Sequence, residues 1–442
     1  MEAVVAPEKH RGPAALAAPE GGVLAAPDPA AAPDPAAAAG APAASVTPAA
    51  GSSALSATPW VVSTYFAEGL PYAIVHKVAS EFFTAAGASL AQIGYASGFG
   101  LPWNLKFLWS PIIDVYSTPR RWLILLEVAL ALAVAALALV VDRGAFGFAA
   151  GGFVLVAILA ATHDIAIDGF YLQALDKTRQ TELSGVRVMA YRGALLAGGF
   201  LITLAGATSW RRAFLVAGAA LALLAALHAA LLPRPRLAAA PPGAGARRLS
   251  LAAFRTFFAQ PRIGASLAFI LLYRAGDAMM FSMSSPLLKS LGLGTEQRGY
   301  VAIVGTVASL AGSLLGGLVV ARLGLRRAIF PIAVLQSVAI PLYVALAWLR
   351  PAVPSVVALV TLEQLAAGVG TAVLAVFLMR RCSDEYKATH FAIGSALMSV
   401  AATVLGGLSG DLAERVGFTA FFTIAFAASF PGVILARRVP AD

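Results

Sequence analysis

From Trp60 to the end of the chain, apolar runs of about twenty residues alternate with short polar connections. At about 1.5 Å per residue, each run crosses about 30 Å of hydrocarbon as an α-helix, whose backbone groups satisfy one another where no water can. The pattern predicts spans near 60–83, 90–113, 121–141, 146–175, 184–207, 211–232, 262–288, 298–321, 327–349, 354–380, 388–412 and 417–436. Alternating ten-residue segments of the kind that build a membrane β-barrel are absent from the pattern. Several spans are rich in small residues, as at Gly312, Gly316 and Gly317. Such residues let helix backbones approach closely in lipid. The expected fold is an all-α membrane protein of about twelve transmembrane helices.

Composition agrees with this: 59% of the 442 residues are hydrophobic and 12% are charged, against about 25% charged in a soluble domain. A net charge of +10 could suit nucleic acid, but the Lys and Arg residues form clusters between spans and no basic face. With the N-terminus inside, those clusters fall on the cytoplasmic side at Arg120, Arg121, Lys177, Arg179, Arg322, Arg326, Arg327, Arg380 and Arg381. The bias predicts a multi-pass protein of a bacterial inner membrane with both termini cytoplasmic, and lipid rather than nucleic acid as its partner. One cysteine, Cys382, leaves no intramolecular disulfide and no cysteine metal cluster.

Residues 1–58 are Ala/Pro-rich and lack a secretory-signal pattern, so they are expected to form a disordered cytoplasmic tail, with partner docking as the functional alternative. The rest divides in two. Gln92-Ile-Gly-Tyr95 opens the second span and Gln297-Arg-Gly-Tyr300 the eighth. Equivalent basic turns follow each, about 206 positions apart, as parallel repeats would place them. Residues 59–232 and 261–438 are thus expected to be pseudo-symmetric six-helix halves joined by a cytoplasmic linker at 233–260.

Charges inside spans carry the chemistry, because each costs about 2.5–3.5 kcal/mol to insert and must face a cavity or a partner. They are Glu68, Lys106, Asp164, Asp168, Arg192, Arg274 and Asp277. Counting residues from the span ends puts Glu68, Lys106, Asp164, Arg192 and Arg274 in one layer, from the midplane toward the cytoplasmic side. Asp164 and Asp168 are four apart on one helix face, and two carboxyls that close suit proton binding and release. Permanent pairing with Lys106 and Arg192 is the structural alternative. Lys106, Arg192 and Arg274 could instead hold an anionic substrate. Glu68 precedes Gly69-Leu70-Pro71, expected to bend its helix, and is either a site residue or a partner of Lys77 or Lys106. Tyr65, Trp103, Asn104 and Tyr191 are candidates for lining a sugar or peptide cavity, and His76 and Lys77 for an external vestibule. His163 reads as a packing histidine, and Glu363 as a weak candidate with only Gln364 beside it. No Walker sequence, metal-ligand cluster or reactive His/Ser/Asp group occurs, so neither ATP-driven transport, a metal or cofactor, nor an enzyme is expected.

Gly317-Leu-Val-Val-Ala321-Arg322-Leu-Gly324-Leu-Arg326-Arg327 resembles the loop signature of the major facilitator superfamily. The resemblance implies a cytoplasmic lock, in which Asp114, Arg120 and Arg121 serve the first half and Arg326 and Arg327 the second; setting topology is the alternative for the last two. A narrower resemblance runs from the first span to the eleventh. Glu68-Gly-Leu-Pro71, Lys106-Phe-Leu-Trp-Ser-Pro-Ile-Ile-Asp114, Asp164-Ile-Ala-Ile-Asp168-Gly-Phe, Tyr191-Arg-Gly193, Leu272-Tyr-Arg-Ala-Gly-Asp-Ala278 and Ala388-Thr-His-Phe-Ala392 look like the AmpG muropeptide permease group. That likeness implies proton-driven import of anhydromuropeptides, the sugar–peptide fragments of cell-wall recycling, with a link to β-lactamase induction in some bacteria. Members of the wider group carry other anionic solutes. The expected function is a monomeric proton-coupled carrier of a small anionic solute working by alternating access. The alternatives are a drug or anionic-solute efflux carrier and a non-transporting membrane sensor.

Overall fold

The computed structural model describes residues 54–110, 113, 117–141, 146–234, 254–383 and 387–440. Among these residues the chain is helical and contains no strand. Among the described residues nine helical segments are long and apolar enough to cross a membrane, and the last of them, 393–436, turns at Gly417 into two. Two broken helices complete the twelve. Segment α1 is α-helical over Ala54–Ala73, opens into a π turn at Ile74–Val78 and closes over Ala79–Ala85. Segment α2 steps through Leu90–Tyr95, a 3₁₀ turn at Ala96–Gly100, Leu101–Leu105 and a second 3₁₀ turn at Lys106–Leu108.

The others follow as α3 (Pro119–Val140), α4 (Phe146–Ala174), α5 (Ser184–Ala207), α6 (Trp210–Leu231), α7 (Ile263–Leu272 and Ala275–Ser290) and α8 (Thr295–Leu323). After these come α9 (Leu325–Ala339 and Pro341–Leu349), α10 (Val353–Arg380), α11 (387–416) and α12 (418–436).

Local chemistry explains the helix boundaries. Alanine is the best helix former, and the Ala54-Leu-Ser-Ala-Thr58 stretch, expected in the tail, is the first turn of α1. The rest of the tail and linker residues 235–253 lie outside the described residues. The repeated glutamines do equivalent work: Gln92 Oε1 accepts from Ser89 N at 3.0 Å, and Gln297 Oε1 accepts from Gly294 N at 2.9 Å. Each satisfies a donor that helix geometry leaves orphaned at the start of its segment. Gly324 (φ +77°) and Gly417 (φ +75°) end α8 and α11 in a backbone conformation that a side chain would strain.

The helices form two halves of six. Within the first, α3 packs on α6 and α1 on α5; within the second, α8 packs on α10 and α7 on the α11–α12 unit. Two seams join the halves, α5 against α8 and α2 against α11. Leu125, Leu132 and Leu139 are exposed at seven-residue spacing on α3, an apolar stripe suited to hydrocarbon rather than water. Both seams depend on missing side chains. A Cβ at Gly94 would lie 2.8 Å from Gly410 N and 2.9 Å from Gly407 O, and one at Gly199 would lie 2.6 Å from Ile303 Cγ1. Gly94→Val is therefore expected to destabilise this arrangement by about 1–3 kcal/mol through overpacking. The thermal midpoint of the protein in lipid nanodiscs measures this; an unchanged midpoint would mean the α2–α11 seam yields freely.

Candidate functional site

The two ends of the bundle differ. One, the basic end, carries Arg120, Arg121, Arg179, Arg326, Arg327, Arg380 and Arg381. At the other, the far end, polar and charged side chains tie the halves together. There Arg298 Nε of α8 donates to Glu81 Oε2 of α1 at 2.7 Å, with both side chains buried. Arg298 also donates to Leu293 O at 2.7 Å, and Lys289 Nζ reaches Thr84 O at 2.5 Å. On the other seam Tyr95 Oη donates to Asp411 Oδ1 at 3.0 Å, and Ala91 N to Glu414 Oε1 at 3.0 Å.

Toward the basic end of the first half sits a carboxyl cluster. Lys106, in the second 3₁₀ turn of α2, donates to Asp164 of α4. Trp109 Nε1 donating to Thr162 Oγ1 at 3.1 Å pins the end of α2 to α4 beside it. The Glu68 carboxyl faces that of Asp164, and its Oε2 is buried without a hydrogen-bond partner. Gly69 makes this position reachable, since a Cβ there would lie 2.6 Å from Tyr191 O and would push α1 off α5. Pro71, lacking an N–H, frees the carbonyl four residues back and loosens α1 just beyond Glu68. Two carboxyls and one ammonium in an apolar bundle balance only when one carboxyl carries a proton.

Asp168 lies one turn closer to the basic end and has different partners. Tyr65 Oη donates to Asp168 Oδ1 at 2.9 Å, and Arg187 Nη1 donates to Tyr65 Oη at 3.1 Å and stands 3.6 Å from Asp168 Oδ1. The Arg187 guanidinium also lies over the rings of Tyr65 and Tyr171, 5.0 and 5.5 Å from their centroids. The Asp168 and Arg187 side chains are 45% and 38% exposed, so this cluster opens toward the basic end. The two aspartates expected to act as one pair thus belong to two clusters. The i, i+4 spacing sets a shared face but not what approaches it across the bundle.

Between the halves lies a cavity of about 450 Å³. Lys77, Arg192, Arg274 and Asp277 supply its charged wall. Arg274 stands at the break in α7 and pairs with Asp277 at 3.4 Å, and Gln336 also donates to Asp277. Tyr72 stacks on His76 with ring centroids 3.9 Å apart, and both line the cavity. Tyr65, Trp103, Asn104, Tyr191 and Lys106, expected at a substrate site, form no part of this wall. Trp103 and Tyr191 back Tyr72 edge-on and tilted at 5.3 and 5.7 Å, and Asn104 donates to Thr403 Oγ1 at 3.2 Å. Their aromatic and amide groups brace the wall from behind. Glu363 is buried beside it, accepting from Gln364 Nε2 at 2.9 Å.

The expected lock divides as well. Asp114 lies outside the described residues. Arg120 donates to Ala229 O at 2.8 Å and Leu232 O at 3.3 Å, closing the C-terminal end of α6. Arg121 N is capped by Thr118 Oγ1 at 3.3 Å, and Arg326 and Arg327 are exposed just past Gly324.

Several polar residues escaped the sequence reading. Glu81, Arg187 and Arg298 stand near span ends, where charge reads as topology. Glu127 had a visible signal, a lone acid in the run Leu-Ile-Leu-Leu-Glu127-Val-Ala-Leu. It is fully buried between His228 Nδ1 at 2.6 Å and His163 Nε2 at 3.4 Å, and His228 Nε2 meets Ser63 Oγ at 2.9 Å.

Known proteins extend these observations. Residues 41–349 match the family described as the Major Facilitator Superfamily. The chain is 30% identical to the anhydromuropeptide permease of Escherichia coli (strain K12), over 84% of this chain and 77% of that protein. It is 26% identical to an AmpG transporter of Rickettsia conorii, over 83% of this chain and 92% of the relative. Among solved structures, a D-xylose–proton symporter superposes with a TM-score of 0.67 at 13% identity, covering 88% of this chain and 98% of its own. A POT family transporter in complex with a thioalcohol-conjugated peptide gives 0.67 at 12% identity, covering 86% and 94%. At those identities the structures bear on the fold alone.

Proposed function

We propose, because this chain belongs to the Major Facilitator Superfamily and is a membrane transporter rather than an enzyme, that it is a proton-coupled importer of anionic sugar–peptides of the anhydromuropeptide kind. The observation that carries this is the meeting of Glu68, Asp164 and Lys106 inside the bundle, a group that balances its charge by taking up one proton. Asp168 and Arg187, half exposed and one turn nearer the basic end, offer that proton a path out. The cavity between the halves supplies the second requirement. Its wall holds three cations and one carboxylate beside the stacked Tyr72 and His76, which suits a solute with carboxylates and a flat apolar face. The permease relative of Escherichia coli supports the choice of cargo.

In this reading the basic end is cytoplasmic, both termini lie there, and the protein works as a monomer in the inner membrane of a bacterium. The far-end ion pair closes the periplasmic side, and rocking of the halves about the cavity exposes the site to each side in turn. Proteoliposomes test the proposal with labelled anhydromuropeptide. Uptake is expected to concentrate the label when an inward proton gradient is imposed and to stop at equilibrium without one. Equal accumulation in both conditions would remove the coupling; uptake of an unrelated drug-like solute alone, running outward, would favour the efflux alternative.

A further inference from the structure

We propose that Lys77 and Arg192 form a binding site for a solute carrying two carboxylates, and that the solute binds by displacing the contacts both residues make with α8. The proposal rests on the reading of the chain as a carrier of an anionic solute and adds to it a residue, a charge count and a trigger.

Both cations belong to the first half and both reach across to one helix of the second. Lys77 Nζ of α1 donates to Thr306 Oγ1 at 2.6 Å and to Ala302 O at 3.3 Å. Arg192 Nη1 of α5 donates to Ser313 Oγ at 3.3 Å. These acceptors are neutral, and their own hydroxyl protons are committed, Thr306 to Ala302 O at 2.7 Å and Ser313 to Ser309 O at 2.9 Å. Among the described residues neither cation has a carboxylate partner. The acids around them have other partners: Glu81 has Arg298, Asp277 has Arg274 and Gln336, Asp164 has Lys106, and Glu363 has Gln364.

The cavity wall therefore carries two unmatched positive charges. A hydroxyl satisfies a cation's hydrogen bond but not its charge, and a charge in a bundle interior is costly until it is paired. A carboxylate supplies both and makes the stronger, charge-assisted bond. Thr306 and Ser313 are seven residues apart, two turns along one face of α8 and about 10 Å along its axis. One compact carboxylate does not serve both positions, so the fitting solute carries two, separated by a spacer of several bonds. Because α8 belongs to the opposite half, exchanging hydroxyl for carboxylate also removes one tie of α1 and one of α5 to it. The ligand thereby loosens the contact between the halves at the moment it binds.

Thermal shift of the full chain in nanodiscs tests this with three probes: an anhydromuropeptide whose stem has two free carboxylates, the same molecule with both amidated, and N-acetyl-glutamyl-alanine, which has two carboxylates and no sugar. The free-acid muropeptide is expected to raise the midpoint by several degrees and the diamide to leave it unmoved. Lys77→Gln and Arg192→Gln should each weaken apparent affinity for the free acid about tenfold. Thr306→Val, which removes the competing acceptor at little change in shape, should strengthen it about threefold. A shift from the sugar-free dianion alone, lost in Lys77→Gln, would support the dianion site while overturning the muropeptide cargo. Equal shifts from acid and diamide, no shift from either free acid, or a weaker affinity in Thr306→Val would each overturn the proposal.

Discussion

Proteoliposomes carrying Asp164→Asn are expected to exchange labelled cargo between inside and outside at near the unaltered rate, yet to lose all accumulation driven by a proton gradient. In the unaltered protein Glu68 and Asp164 share the single ammonium of Lys106, so the trio reaches neutrality only with one proton aboard. With asparagine at 164, Glu68 and Lys106 are neutral as a fixed ion pair, and no proton is needed in any state. Rocking and cargo binding continue, while the link to the gradient is gone. Each pH unit of gradient is worth about 1.4 kcal/mol, a tenfold accumulation for one proton per cargo, so at two units the expected loss is about a hundredfold. Glu68→Gln should behave alike, leaving Asp164 and Lys106 as the fixed pair. Accumulation persisting in both variants would remove the cluster from coupling, and full accumulation in Asp168→Asn would remove Asp168 from the proton's path.

The second large effect belongs to the far end. Arg298→Met removes the partner of a buried Glu81 carboxylate, a change that costs about 3–5 kcal/mol in comparable pairs. Here the pair bridges two halves that are proposed to move apart, so the cost falls on the closed arrangement and not on each half's fold. Opening returns Glu81 to water, and the open population is expected to rise by roughly two to four powers of ten. A single cysteine at Ser97, on the cavity wall, reports this once Cys382 is replaced by serine. Its labelling by an impermeant maleimide applied from the far end should accelerate strongly in Arg298→Met. Unchanged labelling would show that Gly94, Gly407 and Gly410 hold that end shut by packing alone.

The twelve spans were legible because a membrane demands one length and one polarity from every crossing, and chain order then fixes which ends meet. Even the repeated glutamines could be read before their capping role was visible. The site was legible only in part, for a different reason. An intramembrane charge announces itself by its cost, so Glu68, Lys106, Asp164 and Arg274 stood out. Which charges touch depends on packing between helices far apart in sequence, and Asp164 and Asp168 share a helix face yet face different partners. Lys77 was assigned to an outer vestibule, yet it lines the central cavity and crosses to α8. Arg187, Glu81 and Arg298 were hidden by position, since a charge one turn inside a span cannot be told by composition from one that sets topology.

The π turn at Ile74–Val78 sets an angular phase. It follows Glu68, which faces α4, and it holds Lys77, which with Glu81 beyond it faces α8. A π turn holds one residue more than the α-helix it interrupts, and one residue is about 100° of rotation. Deleting Ile74, at the start of the turn, would leave Glu68 in place and swing everything beyond it by that angle, carrying the cavity ammonium and the far-end carboxylate off α8 together. One inserted residue thus keeps the proton-bearing face and the partner-facing surface of the first helix in step, like two cams keyed to one shaft.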